Sequence, residues 1–343
     1  MTYSLPMKNV LVRSRVLSHY AEVARSSGLD PYRMLSEFRL PPRCLREPEF
    51  KIALHLVRQL LEASAERSGV EAFGLQMSEA RRLSDLGSLG LLIREQPTLR
   101  LAVDLAARYS SPIIEGLFLT VEEAADVVVL REELILGRPG SVRQLTELAI
   151  GLVFRMLRAF TGPFWRPLRV CFVHDAPADR SVHDRVFGPN VEFGRDFNGI
   201  VCAHSDLEVR NPDADPGMAR LARQMLDSAI ADEPRDMATK VQELVVTQLG
   251  TGSCTIKRTA QHLGIDPRTI QRRLAVEGRT FGGILEAVRR ELARRYVKER
   301  HRPLAEVSAL LGFAAPSGFT RWHRRQFGVT PSVSRARPLR RGG

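Results

Sequence analysis

The chain has 343 residues, 44% of them hydrophobic and 26% charged, a composition that excludes disordered, collagenous and low-complexity proteins and leaves room for two domains, each with its own core. No run approaches the ~18 apolar residues of a membrane span, and Met1 to Val16 lacks the apolar core of a signal peptide, so no membrane association and a cytoplasmic location are expected. The net charge of +12 is unevenly placed: residues 1–250 carry 31 basic and 33 acidic groups, whereas residues 251–343 carry 20 basic and 6 acidic.

Arginine outnumbers lysine 46 to 5, as a GC-rich coding sequence would give whatever the function. Codon bias does not remove acids from one end of a chain, however, and a local polyanion-binding surface does account for their loss. The four cysteines, Cys44, Cys171, Cys202 and Cys254, lie far apart without zinc-ligand spacing. They are expected to be buried thiols, and neither a metal nor a cofactor is expected.

From Val10 to Arg108 the apolar residues recur three and four apart, as in the run from Phe50, and this predicts helices punctuated at Gly28, Pro31, Gly69, Gly87 and Pro97. Two β-rich stretches follow, Ile113 to Val121 and Asp126 to Leu130, then a helix over Val142 to Thr161. A strand at Leu168 to Val173, a turn-rich stretch and a short strand at Gly199 to Ala203 complete an α+β domain over residues 10–210. Residues 211–235 read as a linker carrying a bridging helix from Met218 to Ile230. An all-α domain occupies 236–334, and 335–343 form a basic tail.

Within the all-α domain Ile256, Ala260 and Leu263 share one helical face, Gly264 breaks the chain, and Ile270 and Leu274 begin a second face. This is a helix-turn-helix pattern. Asp266 is a good N-cap and Pro267 suits the first helical position, so the second helix should start there. Arg268, Gln271 and Arg272 then gather opposite Ile270 and Leu274. Arginine can bridge guanine O6 and N7, glutamine can pair with adenine N6 and N7, and Thr269 can reach a phosphate. A second copy follows at an offset of 49 residues: Leu304, Val307, Leu310 and Leu311 precede Gly312, Phe319 takes the place of Ile270, and Ser317, Thr320, Arg321 and Arg324 form the outward face. Phe281 to about Arg300 reads as one connecting helix of about 30 Å, close to the ~34 Å turn of B-DNA, so the two reading helices would enter successive major grooves. On the connecting helix Arg289, Arg290, Arg294, Arg295 and Lys298 are less specific, as either phosphate contacts or charges near a helix C-terminus.

These residues resemble the AraC-type transcription regulators across Met237 to Ser332. The resemblance is carried by Ala260 to Gly264, Arg268 to Gly278, Phe281, Arg289 to Ala293, Leu311-Gly-Phe, Ser317, Phe319, Arg321 and Phe327-Gly-Val-Thr-Pro. It implies that the helices beginning near Pro267 and Pro316 are the DNA readers, with double-stranded promoter DNA and RNA polymerase as partners. The sequence departs from the pattern at His323, where an aromatic core residue is usual, at Ala315, where a polar N-cap is frequent, and at Gly282-Gly283, which weakens the start of the connecting helix. Residues 10–210 resemble the arabinose-binding-like, effector-sensing domain of one branch of the family, through Leu86-Gly-Ser-Leu-Gly-Leu-Leu-Ile, Pro97-Thr-Leu, Arg169-Val-Cys-Phe-Val-His-Asp-Ala-Pro, Phe187-Gly-Pro-Asn-Val-Glu-Phe, Asn198 and Leu207. That resemblance implies a small-molecule effector of unknown identity, a homodimer, and an activator more often than a repressor.

The expected function is therefore a non-enzymatic, sequence-specific, ligand-responsive transcription regulator. One rival is an enzyme domain fused to a DNA-binding tail, for which His174-Asp175 and His183-Asp184 offer the only metal-type material. Another is an architectural DNA-binding protein, which leaves some 200 near-neutral residues without a role.

Overall fold

The computed structural model describes residues 10–114, 116–124, 126–134, 140–231, 236–249, 254–298 and 302–336. It divides into two units, residues 1–232 and 233–343. In the first unit the order is β1 (Leu11–Arg13), α1 (Tyr20–Ser26), α2 (Pro31–Glu37), β2 (Lys51–Ala53), α3 (Leu54–Ser68), α4 (Phe73–Ala80), α5 (Ser88–Arg94), α6 (Leu99–Ile113), β3 (Leu117–Ala124) and β4 (Val127–Leu134). Then come α7 (Arg143–Thr161), β5 (Arg169–Cys171), α8 (Ser181–Phe187), β6 (Val191–Glu192), β7 (Asn198–Ala203) and α9 (Pro216–Ala231).

One sheet runs β3-β4-β7-β5-β6, antiparallel except for the β5–β6 pair. Along β4 the side chains of Val128, Leu130, Glu132 and Leu134 are buried, as the two-residue period of a strand with one covered face requires. The covering helices are amphipathic: α6 and α7 pack on the sheet and give Leu99, Val103, Ala106, Ile150, Phe154 and Leu157 to its core. A second core gathers α1 to α4 around Tyr20, Leu35, Leu60 and Phe73, and Leu145 and Leu148 of α7 join it. Each such leucine or phenylalanine stabilises the fold by about 1.5–3 kcal/mol through area removed from water. Helix α7 thus belongs to both cores.

The helical expectation for Val10 to Arg108 misses the short antiparallel pair β1–β2, where Val12 faces Ile52; the Phe50 run begins extended and becomes helical only at Leu54. The strand expected from Ile113 starts at Leu117, because α6 continues to Ile113 and the Ile114 amide still donates to the Ser110 carbonyl. The strand expected to end at Leu130 runs on to Leu134, with Glu132 only 1% exposed. The turn-rich stretch after Val173 contains α8. Most of the span expected as a linker is α9, packed on α5 with Ala222 and Leu226 in the first unit's core and the Tyr109 hydroxyl donating to Asp227 at 3.0 Å.

The second unit contains α10 (Met237–Leu249), α11 (Ile256–Leu263), α12 (Pro267–Val276), α13 (Phe281–Tyr296), α14 (Leu304–Leu310), α15 (Pro316–Phe327) and α16 (Pro331–Ala336). Val241, Val245 and Leu249 of α10 are buried, and α10 packs on α11, α12 and α13. Glu277, just after α12, accepts from the Met237 and Ala238 amides at 2.6 and 2.8 Å and so satisfies two orphan donors at the start of α10. The basic tail begins inside α16, where Arg335 Nε donates to the Val297 carbonyl at 2.9 Å; residues 337–343 lie outside the described residues. Among the described residues no helix is long and apolar enough to cross a membrane.

Candidate nucleic-acid interface

Helix α12 begins where local chemistry dictates. Asp266 has an extended backbone, and its carboxylate accepts from the Thr269 amide at 2.9 Å and the Thr269 hydroxyl at 2.7 Å, with Pro267 at the first helical position. The Thr269 hydroxyl lowers the Asp266 pKa, aided by the backbone amides. In this arrangement the Thr269 hydroxyl proton goes to Asp266, within the cap of α12. Ile270 and Leu274 are fully buried, whereas Arg268, Gln271 and Arg272 are exposed on the opposite face. The intended reading face is therefore free of the core that holds it.

The turn before α12 needs Gly264, whose φ of +64° is costly for any residue with a Cβ. At the equivalent turn Gly312 has φ +70°, and a Cβ there would meet the Leu249 carbonyl oxygen at 2.9 Å. The two copies are not related by a constant offset. Pro316 lies 49 residues after Pro267 but Gly312 only 48 after Gly264, so the second turn is one residue longer. Helix α15 presents Ser317, Thr320, Arg321 and Arg324 as exposed residues and buries Phe319, Trp322 and His323. The Thr320 hydroxyl donates to the Pro316 carbonyl at 3.0 Å. Ala315 gives α15 no side-chain cap.

The connecting helix α13 ends at Tyr296, so its 16 residues span about 24 Å and not the expected 30 Å. Its Gly282-Gly283 start is rescued by Thr280, whose hydroxyl accepts from the Gly283 amide at 3.0 Å. Arg289 is not a surface charge. Its Nε donates to the Leu311 carbonyl at 3.0 Å, its guanidinium lies 4.7 Å over the Phe313 ring, and Glu286 pairs with it, so it satisfies the C-terminal end of α14. Glu286 also accepts from Trp322 Nε1 at 2.6 Å, tying α15 to α13.

His323 is 2% exposed between Phe319 and Phe327, with Nδ1 donating to the Val329 carbonyl at 2.8 Å. It fills the aromatic position at which the sequence departs from the family. Burial lowers its pKa below the usual histidine value, against the raising effect of that hydrogen bond. The folded ring resists a proton that the unfolded chain accepts, so this contribution to stability is intact above about pH 6.5 and is lost as pH falls below it. His323→Phe should flatten that acid-side loss when unfolding is followed through Trp322 fluorescence; an unchanged slope would place the titration elsewhere.

In the first unit, the carboxylates of Asp175 and Asp184 do not hold His174 and His183, and His174 Nδ1 instead donates to the Asp175 backbone carbonyl at 2.9 Å. Both Nε2 atoms converge on Glu147 Oε1, at 3.2 and 3.1 Å. No cluster of three or more His, Cys, Asp or Glu suited to a metal is found among the described residues. Cys44, Cys171 and Cys202 are buried thiols and Cys254 is half-buried. A cavity of about 130 Å³ lies at the junction of the two cores, lined almost wholly by apolar groups such as Leu89, Ile93, Ala106, Leu119, Leu148 and Met156. Sequence reasoning left this cavity unassigned, since its walls come from six separate stretches of chain.

Residues 28–211 match the family model of the arabinose-binding N-terminal domain of the AraC transcription regulator, and residues 259–337 match a helix-turn-helix domain model. Across 328 residues the chain is 30% identical to the HTH-type transcriptional regulator VirS of Mycobacterium tuberculosis, covering 95% of this chain and 96% of that protein. The chain belongs to the AraC family of transcription regulators. The regulator is also 25% identical to the ornithine utilization regulator of Pseudomonas aeruginosa, over 91% of this chain and 92% of that protein. Among solved structures, the transcriptional regulator CdpR from Pseudomonas aeruginosa aligns with a TM-score of 0.43 at 20% identity, over 89% of this chain and 96% of that one. The regulator is a DNA-binding transcription regulator, with an α+β N-terminal domain and an all-α C-terminal domain.

Proposed function

We propose that the regulator is a ligand-responsive activator that reads promoter DNA with two helices. Helix α12 would contact bases through Arg268, Gln271 and Arg272, and α15 through Ser317, Thr320, Arg321 and Arg324, with Thr269 holding the start of α12. The observation that carries this reading is that both helices bury one apolar face and leave the arginine-bearing face exposed, in a region with few acids to neutralise it. With α13 spanning only about 24 Å, entry into successive major grooves rests on the placement of the two helix pairs together and not on its length alone. Partner polymerase, a homodimer formed through the first unit, and cytoplasmic action belong to the same proposal. Mapping the DNA bound by the tagged protein across its own genome tests it: discrete promoter sites with a two-part motif are expected, and diffuse binding indifferent to Arg272→Ala would overturn it.

The effector enters the apolar cavity of the first unit in this reading. Although Arg15, Arg81, Asp85 and Glu132 stand in its wall, the surface the cavity presents is almost wholly apolar, which favours a ligand with a large apolar body. The cavity wall also reaches α9: Arg13, beside the cavity, donates to the Ala229 carbonyl at 3.3 Å. Filling it with Ala106→Phe is expected to abolish effector-dependent activation in a promoter reporter while DNA affinity in gel shifts stays unchanged. Retained induction would place the effector elsewhere.

A further inference from the structure

Five arginines of the first unit, Arg82, Arg94, Arg155, Arg158 and Arg185, line one open groove of about 640 Å³ formed by the end of α4, the segment after it, α5, α7 and α8, and among the described residues Glu79 is the only acid lining it. Composition alone does not place them there, since residues 1–250 carry slightly more acids than bases. Three of the five have local reasons. Arg185 forms a two-point pair with Glu79 at 2.9 and 2.8 Å, Arg94 pairs with Glu95, and Arg94 and Arg158 sit in last helical turns, where a cation is favoured. Arg82 and Arg155 have none: no carboxylate lies within ion-pair distance of either among the described residues. Burial lowers the Arg155 pKa, and the Arg158 and Arg82 charges lower it further, only partly offset by the more distant carboxylates of Asp85 and Glu79. A half-buried guanidinium with like charges beside it and no carboxylate in ion-pair contact gains from an anion that completes the site.

We propose that this groove is a second ligand site, distinct from the apolar cavity, that takes a compact polyanion of the phosphate-ester or diphosphate class. Arginine forks match phosphate oxygens with paired hydrogen bonds. Two unpaired guanidiniums with Arg158 beside them call for at least two negative charges, and a groove of this volume holds a small molecule. A nucleic-acid backbone would instead need these cations along a surface it can follow. The groove and the cavity share walls. On α7, Phe154, Arg155 and Arg158 face the groove while Leu152, Val153 and Met156 face the cavity, and on α5 Arg94 faces the first and Ile93 the second. An anion bridging α5 and α7 would therefore restrain the cavity's own walls, a coupling that rests on the effector reading above.

The test titrates pyrophosphate into the full-length protein by calorimetry at constant ionic strength, with no effector present, so that its failure is separate from failure of the effector reading. One saturable site is expected, with affinity at least tenfold weaker in Arg155→Gln and in Arg82→Gln. Hydrogen exchange across residues 88–94 and 143–161 should slow on binding in the wild type. Unliganded Arg155→Gln should unfold no more readily than the wild type, because a like-charge contact is relieved; if it fails to fold, the exposed Arg82→Gln carries the comparison. Identical isotherms in wild type and variants would assign any binding to the basic C-terminal region and overturn the site. Loss of affinity only for double-stranded DNA, with pyrophosphate unaffected, would make the groove a nucleic-acid contact and overturn it equally.

Discussion

Glu147→Leu is expected to destabilise the first unit by about 3–5 kcal/mol, the range for removing one partner from a buried charged cluster. The Glu147 side chain is fully buried on α7, and its Oε1 accepts from the fully buried His183 and from Arg143 Nε, both at 3.1 Å, with His174 Nε2 a further 3.2 Å neighbour. Leucine fills the space but leaves the buried His183 Nε2 without its acceptor, at about 1–3 kcal/mol, and removes the negative charge that His174 and Arg143 face. Glu147→Gln keeps an acceptor oxygen and should cost less, which separates the loss of the acceptor from the loss of charge. The same cluster sets a pH dependence. Burial alone would raise the Glu147 pKa, but the hydrogen bonds from His174 and His183 outweigh it and hold the value at about 2, against 4.5 ordinarily. Its contribution is thus present above about pH 4.5 and is lost as pH falls toward 2, a difference of about 3 kcal/mol. The two tryptophans divide the readout, Trp165 lying in the first unit and Trp322 in the second. In a Trp322→Phe background, urea unfolding followed through Trp165 should show the large loss; a midpoint within about 0.5 kcal/mol of the parent would mean that the cluster is not holding α7 to α8.

That cluster also marks where sequence reasoning ends. His174 and His183 stood out as a candidate metal pair, each beside an aspartate, yet their partner is a glutamate 27 residues before His174, inside an amphipathic helix where a lone acid reads as solvated surface. Contacts of that range depend on how α7 meets β5 and α8, which no local pattern encodes. The start of α12 was legible for the opposite reason. Asp266, Pro267 and Gly264 act within one helical turn of themselves, through a cap, a fixed φ and a left-handed turn. The α7 boundaries, Arg143 to Thr161, were likewise readable from apolar spacing because both cores draw on it. Strands β1 and β2 were not, since three residues hold no periodicity. Glu132 hid the end of β4, because a buried acid breaks the alternation on which strand reading rests. Helix α9 was visible as a helix but not as part of the first unit: Ala222 and Leu226 show an apolar stripe, and only the fold reveals that α5 covers it.

Substituting Arg272→Ala and Arg321→Ala together is expected to weaken specific DNA binding by about 2–6 kcal/mol, roughly 30-fold to 10⁴-fold, if each arginine reads a base at about 1–3 kcal/mol. The residues stand on separate helices, α12 and α15, so the two single losses should add within about 0.5 kcal/mol. The kind of contact is separable from its strength. Loss of a base contact relaxes preference at one base pair and leaves the salt dependence of binding nearly unchanged. Loss of a phosphate contact weakens all sequences alike and lowers the salt slope by about 0.9. The uncapped start of α15 makes its single substitution the more informative. With Ala315 in place of a capping side chain, the first turn of α15 is held by Pro316 and by the packing of Phe319 and Trp322 against Phe313. If Arg321→Ala leaves affinity, base preference and footprint length at wild-type values while Arg272→Ala loses at least 1 kcal/mol, α15 is a supporting helix, and the regulator reads one groove per subunit. Two additive losses with a footprint shortened on one side would instead establish a pair of reading heads on a single chain.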